Sequence, residues 1–222
     1  MSQRTVEEYL ETIGALEEHE SPVSTTSIAQ IMGLSLASVS EMVRRLSEKG
    51  LVEYTPYGGA KLTDEGRKRF LRLTRRHRLW EVFLNKYLGI GWEDVYQHAC
   101  NLEHATTDLV AQKLAAFLDN PEVCPHGRPI PSSNLKRPNG SGIPLSKLEV
   151  GQSATMLSVI NEHNTEYLRY LTGLGLTLGA TVKVTERAPY DGTLTIEVNN
   201  ATKAIGRDAA SQVMVKPLSD HK

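Results

Sequence analysis

Acids, histidines and cysteines recur at spacings that could gather them around a transition-metal ion. Glu8 and Glu11 stand three apart, His77 and Glu81 four apart, and Cys100, Glu103 and His104 at i, i+3 and i+4. Residues three or four apart share one helix face. A fourth set, Cys124-Pro125-His126, places a thiol and an imidazole on either side of a proline that fixes the local backbone. Converging carboxylates repel unless a cation sits between them. A mixture of Glu, His and Cys suits Mn²⁺, Fe²⁺, Co²⁺ or Zn²⁺ better than Ca²⁺ or Mg²⁺. Each set alone also has a plain structural reading: His77 with Glu81 as a solvated helix pair, Cys124 as an inert thiol beside a surface histidine. Three such sets on helices able to pack together favour the metal.

The elements that must position these groups follow from the apolar periodicity. Val6, Tyr9, Leu10, Ile13 and Leu16 predict a helix over residues 4–20, ended by Ser21-Pro22. A short helix from Thr25 or Thr26 to Met32 is broken by Gly33, and a third runs from Ser35 or Leu36 to Lys49 before Gly50. Helix, tight glycine turn and helix is helix-turn-helix spacing. The segment LVEYTPYGGAKLT then reads as a hairpin with its turn at Tyr57-Gly58-Gly59, that is, a wing. A long helix is expected from Asp64 to about Tyr87, ending at Gly89, with two more over about 92–104 and 106–119. Six of the ten prolines fall between Pro121 and Pro144, which marks a linker. Beyond it MLSVI, TVKVTE, GTLTIEV and QVMVKP read as strands of a small β-barrel, with one helix near Glu166 to Thr172. The expected domains are 1–74, 75–144 and 145–222.

Composition narrows the partners. The 222 residues carry 25 Lys+Arg against 26 Asp+Glu, so the net charge near zero says little until the charges are located. Lys61, Arg67, Lys68, Arg69, Arg72, Arg75, Arg76 and Arg78 form a cationic band opposed within that stretch only by Asp64 and Glu65. The N-terminal segment lacks the apolar region of a signal peptide, and no run approaches the roughly 18 apolar residues of a membrane span. A cytoplasmic protein without membrane partners is expected. Two cysteines are too few for a disulfide framework.

In the third helix Ser35, Ala37, Ser38, Ser40, Glu41, Arg44 and Arg45 form one side, and Val39, Val43 and Leu46 the buried side. Small polar side chains let a helix approach the floor of a major groove, and Arg45 can reach phosphate. With the wing and the cationic band, this predicts binding to double-stranded DNA. Ser and Glu near a helix start also serve as caps and dipole-friendly acids. Glu41 reads as a base contact, accepting from an exposed amine such as cytosine N4, or as a partner of Arg45 at i+4; the reading leans towards the base contact.

The segments TVEEYLETI, RRHRLWEVFL, ACNLEHATT and VCPHGRPIP, in that order, resemble the iron- and manganese-dependent repressors typified by the diphtheria toxin repressor and the manganese transport regulators. The resemblance covers nearly the whole chain. It implies a mainly α fold with β: an N-terminal winged helix-turn-helix, a helical dimerisation domain and a small C-terminal SH3-like β-barrel. It implies that Glu8, Cys100, Glu103 and His104 lie in a metal site whose occupancy fixes helix 1, with His77 and Glu81 in a neighbouring site. Glu11 matches a ligand of the manganese branch, and Cys124 with His126 an arrangement of streptococcal-type regulators. Glu162, between Asn161 and His163, is the best-placed acid for a ligand from the C-terminal domain. Three positions depart from the pattern. Glu8 stands where the iron branch has Met and the manganese branch usually Asp. Tyr96 stands where the iron branch has a histidine ligand, and Cys100 keeps the cysteine of the iron branch where short manganese regulators have Glu. The resemblance implies a homodimer on a near-palindromic operator that represses metal-homeostasis genes. Its harder donor set puts Mn²⁺ ahead of Fe²⁺, with Zn²⁺ or Co²⁺ as substitutes in vitro.

Two other classes fit parts of the sequence. A metallohydrolase would need an open coordination position and a general base, and the chain offers no HExxH or comparable motif, so a non-enzyme is expected. A winged-helix regulator sensing a non-metal ligand would leave the acids and histidines structural, and metal titration of operator binding separates it from the main reading.

Overall fold

A computed structural model describes residues 2–135 and 142–218; the stretch 136–141 of the proline-rich linker lies outside the described residues. The chain divides into two compact units. One takes the described residues of Met1–His77, Glu103–Ala111 and Pro131–Arg137, the other those of Arg78–Leu102, Gln112–Ile130 and Pro138–Lys222. The expected central helical domain therefore contributes residues to both.

In the first unit α1 (Gln3–Leu16) starts where the Ser2 hydroxyl accepts from the Thr5 N–H. It ends earlier than the expected residue 20, as Glu17 turns its carboxylate onto the Leu62 N–H at 2.7 Å and onto Arg67. Helix α2 (Thr25–Met32) stops at Gly33, whose φ of 66° is the left-handed conformation that closes helices. Helix α3 (Leu36–Glu48) is capped by Ser35. Strands β1 (Val52–Thr55) and β2 (Gly59–Leu62) pair antiparallel, with Thr55 opposite Gly59, and form the wing. Helix α4 (Asp64–Leu88) follows, then α5 (Val95–Glu103) and α6 (Asp108–Phe117).

Val6, Tyr9, Leu10 and Ile13 of α1 are buried in one core with Ile28, Val39, Val43, Leu46, Leu62 and Phe70. Each such side chain contributes about 1.5–3 kcal/mol by leaving water. A Cβ on Gly14 would lie 2.7 Å from the Phe70 ring, so α1 crosses α4 where no side chain fits. That crossing sets the rotation of α1 and leaves Glu7, Glu8 and Glu11 half-buried on its flank.

In the second unit Leu84, Val95 and Ala99 form a small helical core beside Trp80, Ile90 and Leu102. The C-terminal part contains β3 (Ile143–Pro144), β4 (Ser153–Val159), α7 (Thr165–Leu174), β5 (Thr181–Arg187), β6 (Leu194–Val198), β7 (Ala201–Ile205), α8 (Arg207–Ser211) and β8 (Val213–Pro217). Its strands form one antiparallel sheet in the order β3-β8-β4-β5-β6-β7. Strand β7 and helix α8 were absent from the sequence reading. The β6–β7 turn is Asn199-Asn200, both left-handed at φ 51° and 61°, a pairing suited to a tight hairpin. Among the described residues no helix is long and apolar enough to cross a membrane.

Candidate metal centres and nucleic-acid interface

The second unit holds a fully buried donor set. Glu81 of α4, Cys124 and His126 offer a carboxylate oxygen, a sulfur and a nitrogen that all lie within 4.8 Å of one another. The Cys-Pro-His segment is shaped by its backbone: the Cys124 N–H donates to Arg128 at 3.0 Å and the Gly127 N–H to Cys124 at 2.8 Å. Gly127 sits at φ +75°, and a Cβ there would fall 1.9 Å from the Leu157 carbonyl oxygen, so the turn requires glycine. The Val159 N–H donates to the His126 carbonyl at 3.1 Å, fastening the turn to β4.

His126 Nε2 lies 2.7 Å from the Trp92 carbonyl oxygen. A carbonyl only accepts, so Nε2 carries the proton and Nδ1 is available as a donor atom. Nδ1 faces Glu81 Oε1 at 3.1 Å, Cys124 Sγ at 3.9 Å and Glu162 Oε2 at 3.9 Å. A ligating histidine is commonly oriented in this way by a carbonyl on its far nitrogen. Burial opposes the charged form of His126, but Glu81 and Glu162 outweigh it and raise its pKa. Burial, reinforced by Glu81 and Glu162, pushes the Cys124 thiol well up, against the pull of Arg78. Arg78 donates to the Pro129 carbonyl at 2.5 Å and approaches Glu162 at 3.5 Å. Two buried carboxylates, a thiol and an imidazole whose proton-bearing side points away fit a divalent transition metal.

The first unit holds a chain of paired groups. Glu103 is 0% exposed. Its Oε2 lies 2.8 Å from His77 Nδ1 and its Oε1 3.4 Å from His104 Nε2. His104 Nδ1 in turn lies 2.7 Å from Glu7 Oε2. Cys100, one turn earlier on α5, is half-buried and belongs to the second unit. In the first unit His77 meets Glu103, and in the second Glu81 meets His126 beside Cys124.

Glu8 accepts instead from Arg4 Nε at 2.9 Å on its own helix, and the carboxylate that meets His104 is Glu7. Glu11 is half-buried one turn further along α1. Glu7 went unnoticed in the sequence, where only its position beside Glu8 could have drawn attention to it. Glu162 lies in the second unit's cluster, within 4.0 Å of Arg78, His126 and Arg128.

On α3, Ala37, Ser38, Glu41 and Arg45 are exposed, and Ser40 is half-buried. The Ser35 hydroxyl caps the Ser38 N–H and meets the Ser38 hydroxyl at 2.8 Å, so both serines serve the helix start. Glu41 is paired with Arg45, which favours the partner reading over the base contact in the unbound chain. The cationic band is largely used internally. Arg67 pairs with Glu17, Arg69 with Glu65 at 3.2 Å and Arg76 with Asp108 at 2.8 Å, while Arg75 donates to the Pro131 carbonyl at 2.6 Å. Arg78 is buried; Lys61, Lys68 and Arg72 remain exposed.

The chain is similar to known proteins over nearly its whole length. Residues 1–60 match the family described as iron dependent repressor, N-terminal DNA binding domain, and residues 63–132 its metal binding and dimerisation domain. The diphtheria toxin repressor of Corynebacterium glutamicum is 30% identical over 224 residues, which is 96% of each chain. The chain belongs to the iron-dependent repressor family. Residues 143–217 match the FeoA domain, which identifies the C-terminal sheet as the SH3-like module. The iron-dependent repressor IdeR of Mycobacterium leprae is 29% identical over 96% of this chain and 97% of its own. Among solved structures, a manganese-dependent transcriptional repressor in complex with manganese is 33% identical with a TM-score of 0.87, covering 96% of this chain and all of that one. The manganese regulator SloR is 30% identical with a TM-score of 0.78, covering 96% and 98%. The family consists of metal-dependent DNA-binding repressors, not enzymes.

Proposed function

We propose that this repressor is manganese-responsive, with Fe²⁺ the next candidate, and that metal at Glu103 and His104 fastens α1 for operator binding. The observation that carries this reading is the run His77, Glu103, His104, Glu7, with Glu103 fully buried between two imidazoles. Glu8, exchanging its Arg4 partner for the ion, and Glu11 are the further ligands proposed for this centre. Glu81, Cys124, His126 and Glu162 would hold a second ion. A bound divalent cation supplies the positive charge that lets these carboxylates converge. Without it, repulsion between the acids of α1 and Glu103 loosens the helix, and ordering entropy opposes DNA binding. Manganese is favoured by the oxygen and imidazole donors, by the lack of a thioether at position 8, and by the manganese-dependent neighbours.

The operator is read as near-palindromic and bound by a homodimer, one α3 per half-site. An exposed aromatic group supports the dimer: Phe83 stacks on Tyr87 at 5.7 Å, and Tyr87 lies 5.0 Å from Phe117, which is 57% exposed. Calorimetric titration of chelator-stripped protein with Mn²⁺, Fe²⁺, Zn²⁺ and Co²⁺, each paired with an operator-binding curve, tests the assignment. Full operator affinity at lower free Mn²⁺ than the cell holds supports manganese. Activation by Fe²⁺ alone under anaerobic conditions transfers the role to iron.

A further inference from the structure

We infer that Glu7 is a positioning residue for the first metal centre: its carboxylate fixes the tautomer and ring orientation of His104 so that Nε2 faces the ion. The inference rests on the proposed reading of Glu103 and His104 as ligands. Glu7 and His104 lie 97 positions apart, and their side chains are only 14% and 11% exposed. An ionised carboxylate only accepts, so the 2.7 Å contact puts a proton on His104 Nδ1. The opposite nitrogen, Nε2, points at Glu103 Oε1 3.4 Å away. With Nδ1 turned to Glu7, Nε2 is the nitrogen left facing Glu103, and these two donor atoms lie close enough to share one divalent cation. A carboxylate on the far nitrogen also raises the basicity of a ligating imidazole.

His126 is oriented in the same manner by the Trp92 carbonyl. The two centres thus differ in their supports, a neutral carbonyl for one and an anionic carboxylate from α1 for the other. Through Glu7, α1 is tied to the centre by a hydrogen bond that does not need Glu8 as a ligand, since Glu8 is engaged by Arg4. Loss of a partner of this kind typically weakens metal affinity about 10–100-fold.

The test uses the full chain in four forms: wild type, Glu7→Ala, Glu7→Gln and Glu103→Ala. Each is titrated with Mn²⁺, and the His104 ring nitrogens are observed by NMR in the Zn²⁺-loaded protein. Expected for Glu7→Ala is affinity about 10–100-fold weaker at one site with stoichiometry unchanged at saturation, and loss of the single Nδ1–H tautomer. Glu7→Gln, whose amide oxygen still accepts, should restore the tautomer and most of the affinity. Wild-type affinity and tautomer in Glu7→Ala would overturn the inference. A loss of one ion per chain in Glu7→Ala would overturn it too, making Glu7 a ligand. Wild-type stoichiometry and affinity in Glu103→Ala would instead overturn the underlying site, whatever Glu7 does.

Discussion

His77 Nδ1 and Glu103 Oε2 meet at 2.8 Å although 26 positions separate them, joining α4 to the end of α5 inside the unit that carries the winged helix. Both groups are buried, so the pair persists only if something balances the carboxylate. On the proposed reading a bound divalent ion supplies that balance.

Glu103→Ala should therefore abolish the metal dependence of operator binding while leaving the fold intact. A typical coupling of about 1–3 kcal/mol corresponds to a roughly five- to 150-fold gain in operator affinity, and the variant should lose it. Fluorescence anisotropy on a labelled operator with and without Mn²⁺ measures this. A metal response equal to wild type would remove Glu103 from the switch.

The second centre should behave differently. The double variant Cys124→Ala, His126→Ala should bind about one ion fewer per chain, with operator affinity at saturating metal falling only partly. Calorimetry returning wild-type stoichiometry and affinity would make Cys124 a structural thiol after all.

Protons compete with metal at that centre. The His126 pKa is raised because Glu81 and Glu162 outweigh burial, and the Cys124 thiol is pushed well up by burial and the same acids. The imidazolium's contribution to metal-free stability is full below the ordinary histidine value of 6.5 and is lost as pH rises through the raised one. Loading requires the Nδ1 proton and the thiol proton to leave, so affinity should strengthen with rising pH and proton release should accompany binding. Titrations in buffers of different ionisation enthalpy count those protons. An affinity flat across this range would mean that neither group ligates.

On α3, Glu41 holds Arg45. Glu41→Gln frees the guanidinium for phosphate, so non-specific affinity should rise and the salt slope steepen by about one. An unchanged slope together with an altered base preference in binding-site selection would return Glu41 to the role of base contact.

The exposed ring of Phe117 beside Tyr87 is expected at the dimer interface. Phe117→Asp should shift sedimentation towards monomer and weaken operator binding through lost bivalency. A variant that remains fully dimeric at low micromolar concentration places the interface elsewhere.

Element types were largely legible because each rests on local periodicity: Val6, Leu10 and Ile13 already mark the buried stripe of α1, and Gly33 its neighbour's end. Pairings were less legible because they depend on residues far apart. Arg67 reaches Glu17 across 50 positions, and His104 reaches Glu7 across 97. No local spacing distinguishes Glu7 from Glu8, and the rotation that does so is set by Gly14 against Phe70. For the same reason the cationic band was legible as charge but the partners of Arg67, Arg75 and Arg76 were not. Strand β7 escaped notice because Ala201–Ile205 exposes four of its five side chains and carries no apolar alternation.

The most direct test of the central claim is operator affinity of the wild-type chain, stripped with chelator and then titrated with Mn²⁺, at fixed salt. The account predicts weak specific binding in chelator, restoration by micromolar metal, and little change on non-specific DNA. Equal operator affinity in chelator and in saturating metal would contradict it.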